Sequence, residues 1–353
     1  MQSIRRAVFL LCLLLPVASA QAGPAEDARA AAERGDRAGA IKIVREAAEQ
    51  GDAEAQASLG SMYVYGIGVP KDEALALDWY RKSAAQGNAE GQYNLGVLVS
   101  RGLGGARRDP AVAADWYRKA AEQGHASAAF NLGGQYLRGD GVAKDTAQAL
   151  AWLRRAAAAG HPGAKSSIGL LYLFGMEVPK DEAEGFRWLE QAAKDGHRYS
   201  QYQLGQLYAR GVGVAKDETA AADWIKKAAE HGDPRAQFDL AMRYAKGIGV
   251  ARDAAEELRW LIAAAERGLA IAQMSLGSMY TLGEGLERDP VRGCFWLTLS
   301  ANAVRGEKSE KDFAELRDDA CKRRATPEQR ADAERRVRDW QPIPSEQPEM
   351  GRR

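Results

Sequence analysis

An all-α, right-handed solenoid of stacked antiparallel helix pairs is the fold that the sequence predicts, and three series of residues predict it. Leu59-Gly60 returns as Leu95-Gly96, Leu132-Gly133, Ile168-Gly169, Leu204-Gly205, Leu240-Ala241 and Leu276-Gly277. Trp79 returns as Trp116, Trp152, Trp188, Trp224, Trp260 and Trp296. Both series advance by 36 residues with one step of 37, and an aspartate column (Asp72, Asp109, Asp145, Asp181, Asp217, Asp253, Asp289) runs between them. A fixed period of about 20–50 residues marks repeats that stack, because each repeat has an apolar face that only its neighbours can cover.

Each element of the repeat follows from local chemistry. In the copy from Ala53 to Asn88, Ala55, Leu59 and Tyr63 sit four apart and share one face of a first helix. Gly60 lies inside that helix, where glycine costs about 1 kcal/mol against alanine. Its return in six of seven copies is read as a packing requirement, room for a neighbouring helix. Gly66-Ile67-Gly68 supplies positive φ for the chain reversal. The aspartates cap the second helix, and Pro110 and Pro290 stand at the first helical position that proline favours. Trp79 lies between small residues, Ala76, Ser83 and Ala84, the last being alanine in all seven copies. Such neighbours let the indole lie flat on the paired helix and bury about 150–250 Å². Gly87 and its counterparts Gly124, Gly160, Gly196, Gly232 and Gly268 end the helix in the left-handed conformation.

The pattern A-x-x-x-L-G-x-x-Y…G-x-G-V-x-x-D…A-x-x-W-x-x-K-A-A-x-x-G resembles the Sel-one-like repeat (SLR), a relative of the tetratricopeptide repeat. The resemblance covers seven copies, from Ala53 to Ala301. Departures are Ala241 for the helix glycine, Glu177 for the second loop glycine and Glu257 for a small residue before Trp260. The resemblance implies first helices lining an inner, concave surface. It also implies a non-enzymatic scaffold for protein–protein interaction, serving envelope assembly, exopolysaccharide secretion, signalling control or host contact. Some cysteine-rich SLR proteins are penicillin-binding or β-lactamase-like, the enzymatic alternative; they carry a disulfide in each repeat, and this chain has no such pairs.

The flanks complete the array. Met1–Ala20 has the basic start (Arg5, Arg6), short apolar run and Ala18-Ser19-Ala20 end of an export signal, with cleavage expected after Ala20 or Ala22. That run is too short for an ordinary membrane span. Its removal changes the formal charge from +1 to −1, which gives no reason to expect nucleic acid. Export to the periplasm of a Gram-negative envelope, or secretion, is expected. Residues 24–52 read as a degenerate first repeat, with Ile43 in the tryptophan position. The seven repeats occupy 53–306, and the extra residue of the second lies in its Gly102–Asp109 loop. Val304 replaces a terminating glycine, so that helix is expected to reach Arg305. Capping helices follow over 307–340, Glu310–Arg323 and Pro327–Asp339, the latter opened by the capping sequence Thr326-Pro327-Glu328-Gln329. Residues 341–353, with three prolines, read as a loose tail.

Two cysteines remain after export, Cys294 and Cys321. They are symmetric about a turn near 306–308, so antiparallel helices would set them opposite for a disulfide; two packed thiols are the alternative. His125, His161 and His197 follow the terminating glycines of successive repeats. Stacked repeats hold equivalent atoms on the order of 10 Å apart, far beyond the reach of ligands to one zinc. Helix caps explain them better. No metal or cofactor is expected, and no serine, aspartate or histidine stands outside the repeat as a catalytic group.

The candidate partner-binding groove is formed by two series on the first helix. Three residues before the helix glycine stand Ala57, Tyr93, Phe130, Ser166, Tyr202, Phe238 and Met274; five after it stand Tyr65, Arg101, Arg138, Phe174, Arg210, Lys246 and Leu282. Aromatics beside cations suit an extended peptide with acidic and apolar side chains, or a sugar chain, which makes a glycan-binding module a further alternative. The plainer reading has the aromatics packing between repeats and the cations solvated.

Overall fold

A computed structural model describes residues 23–306 and 310–344; residues 1–22, where an export signal is expected, 307–309 and 345–353 lie outside the described residues. Among the described residues there are eighteen α-helices and no strand. The degenerate repeat is α1 (Pro24–Glu33) and α2 (Arg37–Glu49). The seven pairs are α3 (Ala53–Tyr65) with α4 (Glu73–Ala85), α5 (Ala89–Arg101) with α6 (Pro110–Glu122), α7 (Ala126–Arg138) with α8 (Thr146–Ala158), α9 (Pro162–Phe174) with α10 (Glu182–Lys194), α11 (Arg198–Arg210) with α12 (Glu218–Glu230), α13 (Pro234–Lys246) with α14 (Ala254–Glu266), and α15 (Ala270–Leu282) with α16 (Pro290–Ala303). The caps are α17 (Glu310–Asp318), a π-helical turn over Asp319–Arg323, and α18 (Pro327–Asp339). The chain divides into two compact units at Ile168–Gly169. Each is an array of helix pairs, so the chain is an all-α solenoid of such pairs.

The caps act where local chemistry puts them. Asp72 accepts the Ala74 and Leu75 N–H groups at 2.9 and 3.0 Å, and the other six aspartates accept likewise. Gly66, with φ 65°, ends α3. Glu177 adopts a positive φ of 57° without being glycine.

The seam of each pair adds a residue that the tryptophan series does not include. The tryptophans are not its deepest residues. Only Trp152 and Trp260 are buried; the other five indoles are half-covered. Cations three residues on lie over Trp79, Trp116, Trp152 and Trp224, such as Lys82 on Trp79 (4.0 Å to the centroid) and Lys227 on Trp224 (3.9 Å). The next residue fills the seam instead: Tyr80, Tyr117, Leu153, Leu189, Ile225, Leu261 and Leu297, all buried. Each of these except Leu261 meets the helix glycine. A Cβ on Gly60 would lie 2.7 Å from the Tyr80 ring, one on Gly133 2.9 Å from Leu153 Cγ, and one on Gly205 2.6 Å from Ile225 Cγ1. An indole is too large for such a hole, whereas a single aliphatic chain or the edge of a phenol ring fits. In the sixth repeat Ala241 takes the glycine's place in the same core as Leu261.

Repeats join through carboxamides as well as apolar contacts. Gln86 Nε2 reaches back to Gly51 O (2.9 Å) and Gln56 Oε1 (2.8 Å), and Gln123 repeats this on Gly87 O and Gln92 Oε1. In the second unit Gln201, Gln237 and Gln273 donate to Ala193, Ala229 and Ala265 carbonyls at the end of the preceding helix.

The C-terminal end departs from expectation in three places. Helix α16 stops at Ala303, and the turn closes on Gly306 at φ 86° rather than running helically to Arg305. The helix expected over Glu310–Arg323 is α-helical only to Asp318. Residues 341–344, assigned to a loose tail, pack on the end of α14: the Ile343 N–H donates to Glu266 O at 2.8 Å. A disulfide joins Cys294 of α16 to Cys321 of the π turn, with Cα atoms 4.9 Å apart. The Thr326–Gln329 capping box opens α18.

Two outcomes are expected. Gly169→Ala places a Cβ 2.7 Å from Leu189 Cγ and 3.0 Å from Gly185 O, and because backbone cannot yield as a side chain does, urea unfolding should show a loss of about 1–3 kcal/mol; an unchanged midpoint would count against the hole. Reducing Cys294–Cys321 removes a cross-link worth about 2–4 kcal/mol, so hydrogen exchange should quicken first in α17 and α18. Unchanged protection there would show that the bridge is dispensable.

Candidate protein-binding surface

The first helices carry both candidate series, and the structure separates their members by burial. Ala57 and Ser166 are buried. Tyr93, Phe130, Tyr202 and Phe238 are half-buried, and three of them contact the following repeat. Tyr93 stacks on His125 with centroids 4.4 Å apart, Phe130 stacks on His161 at the same distance, and Arg235 lies 5.5 Å from the Tyr202 ring. Phe238 packs against the core of the sixth and seventh repeats. Packing between repeats therefore occupies one face of these rings and leaves the rest at the surface. Arg101, Arg138, Arg210 and Lys246 are exposed, as are Tyr65 (60%) and Phe174 (63%).

The histidines take the cap position, two of them as caps in fact. His125 Nδ1 accepts the Ala128 N–H and His161 Nδ1 the Ala164 N–H, both at 3.2 Å. His197 is a correction: it makes no cap bond, and its Nδ1 meets Ser200 Oγ at 2.8 Å. Among the described residues no group of three or more His, Cys, Asp or Glu is placed to hold a metal ion.

In the first compact unit, three of the candidates, Tyr93, Arg101 and Arg138, lie near Tyr117, a residue that the sequence reading passed over. Its ring lies 6.1 Å from that of Tyr93, and its hydroxyl donates to Ser100 Oγ at 3.2 Å. Burial raises the Tyr117 phenol; bonds to Ser100 and Asn131 and the charges of Arg101 and Arg138 oppose the rise. Tyr93 is pushed up to about 12 by burial, then by Tyr117, Glu90 and Tyr65, with Arg101 acting against them. Burial also raises the Glu90 carboxyl, but the His125 bond and charge, with Asn94, bring it below its ordinary value. One signal pointed to Tyr117: the residue after tryptophan is tyrosine in the first two repeats and aliphatic in the other five.

The second unit differs. Arg243, a nearly buried guanidinium, pairs with Glu218 (3.0 Å) and Asp239 (3.2 Å), and Gln206 also donates to Asp239. Burial holds the Asp239 carboxyl above its ordinary range against both donors. Tyr202 senses Asp239, Arg235 and Arg210, so this cluster holds its own carboxylate.

Comparison with known proteins follows the same period. The Sel1 repeat model matches residues 53–88, 89–125, 126–161, 164–197, 198–233, 234–269 and 270–303. A Sel1 repeat protein of Oxalobacter formigenes is 34% identical over 69% of this chain and 96% of its own, with a TM-score of 0.58. A protective antigen of uropathogenic Escherichia coli strains, displaying an SLR fold, is 31% identical over 90% of this chain and 76% of its own, with a TM-score of 0.48. Yeast Tom70, at 11% identity and a TM-score of 0.50, covers 95% of this chain and 72% of its own and shares the fold alone. No curated protein matches the chain.

The Tyr93 environment sets a pH dependence. An unfolded phenol titrates near 10, and the folded one near 12, so its contribution is complete below pH 10 and is lost as pH rises from there to about 12. Unfolding midpoints should fall across that window, and Tyr93→Phe, which keeps the stack on His125, should flatten the fall. Equal slopes in the two proteins would contradict the burial of this hydroxyl.

Proposed function

The chain belongs to the Sel1 repeat family, and from that premise we propose that it is a non-enzymatic scaffold whose first helices hold a protein partner in the cell envelope. One observation carries the reading: in the second, third, fifth and sixth repeats the same helix face presents a half-buried ring beside an exposed arginine or lysine. Rings already anchored against the next repeat lose little entropy when a partner covers their remaining face. The cations supply steering and register rather than bulk affinity. The Sel1 solenoid is typical of protein–protein interaction scaffolds, and no helix of the described residues is long and apolar enough to cross a membrane. Envelope location is supported by the basic, apolar and small-residue succession of Met1–Ala20 and by the Cys294–Cys321 bridge, which suits an oxidising compartment.

Crosslinked capture from whole envelopes tests this. The chain from Gln21 onward should retain a discrete envelope protein, and Arg101→Glu, Arg138→Glu, Arg210→Glu and Lys246→Glu together should lose it while circular dichroism is unchanged. Equal capture by both would move binding away from the first helices. A C-terminal reporter that stays in the cytoplasm would overturn the envelope assignment.

A further inference from the structure

We propose that the first compact unit carries a carboxylate-binding site, in which the Arg101 and Arg138 guanidiniums close over the Tyr117 hydroxyl beside the Tyr93 ring. Its ligand is an acidic side chain in an extended segment of the partner protein. This names the partner chemistry of the scaffold reading and rests on it.

The two arginines are structural equivalents. Arg101 ends α5 and Arg138 ends α7, each followed by a left-handed glycine at φ 70°. Neighbouring helices lie about 8–10 Å apart, a gap that two long arginine side chains converging on one carboxylate can bridge. The Arg138 guanidinium turns back along α7 over Gly134, where an added Cβ would sit 3.2 Å from Nη1. Tyr117 rises between the two helices, fixed by Ser100 and Asn131, so the floor of the site is rigid.

The charges are uncompensated. Among the described residues neither arginine is in an ion pair, while every nearby carboxylate is engaged. Glu90 holds His125 and Asn94, Asp109 and Asp145 cap α6 and α8, Asp115 holds Arg118, and Asp140 holds Arg108. The second unit differs in that a carboxylate, Asp239, lies near the Tyr202 ring and is paired with the buried Arg243. Planar guanidiniums match a carboxylate through paired hydrogen bonds. Two cations suit one acidic side chain, whereas a nucleic-acid backbone demands a longer basic track. The exposed Tyr65 and the open face of Tyr93 offer an apolar side chain a place next to the acid.

Cations at a helix C-terminus also complement its dipole, and any cation serves that role equally. Arg101→Lys with Arg138→Lys therefore separates the two roles without disturbing the fold. A phage-displayed random peptide library selected on the chain from Gln21 onward should yield peptides with Asp or Glu next to a large apolar residue. Fluorescence anisotropy of the synthesised peptides should show binding weakened about tenfold or more by the double lysine variant, and unchanged by Lys226→Glu on the exposed side of α12. Peptides without acidic enrichment, or binding indifferent to the lysine variant, would sink the site and leave the scaffold reading in place. A library that yields nothing would also sink it, and the scaffold reading would fall with it only if envelope capture failed too.

Discussion

Everything in this chain depends on one close approach, a glycine in the middle of six of the seven first helices against the residue after tryptophan in the second. The glycine has no side chain at the point where Tyr80, Leu153, Leu189, Ile225 or Leu297 enters. That contact sets how near the two helices lie, and hence the width of one repeat. Glycine weakens a helix by about 1 kcal/mol, but an ordered aliphatic side chain fully withdrawn from water returns about 1.5–3 kcal/mol. Packing therefore outweighs propensity at this position.

Stacking adds a second layer of control. The buried glutamines at the fourth position of most first helices give a second hydrogen bond to carbonyls at the end of the preceding helix, which already accept the N–H of the glycine that follows it. They work at fixed length, so each repeat takes its register from the one before. The histidine stacks do the same near the surface: His125 caps its own helix, covers Tyr93 of the preceding one and meets Glu90. The binding face is a by-product of this order, since the period that aligns the cores also aligns Arg101 with Arg138.

Much of this was legible in the residues because it is local. Period, capping aspartates and left-handed glycines are decided within a few residues of chain, and helix bounds follow from them. The residue that enters the seam was not legible, because tryptophan and its successor are both apolar and lie only about 100° apart on the helix, so periodicity alone does not say which faces the partner. Size decides, and size matters only once the glycine opposite is known. Tyr117 was hidden for the same reason, being a core residue by pattern whose hydroxyl meets Ser100 and Asn131 through tertiary packing. The tail looked loose because one backbone bond from Ile343 to Glu266 leaves no trace in composition.

The Cys294–Cys321 bridge gives an otherwise repetitive molecule a polarity. In an array of nearest-neighbour contacts, thermal fraying or mechanical load removes repeats from whichever end is weaker. The C-terminal end is covalently stapled and also held by residues 341–344, whereas the N-terminal end of the described residues is closed by α1, a short alanine-rich helix with no cross-link. Peeling therefore starts at Pro24 and proceeds towards Cys294. A partner seated on α5 and α7 lies in the path of that peeling and would act as a brake on it.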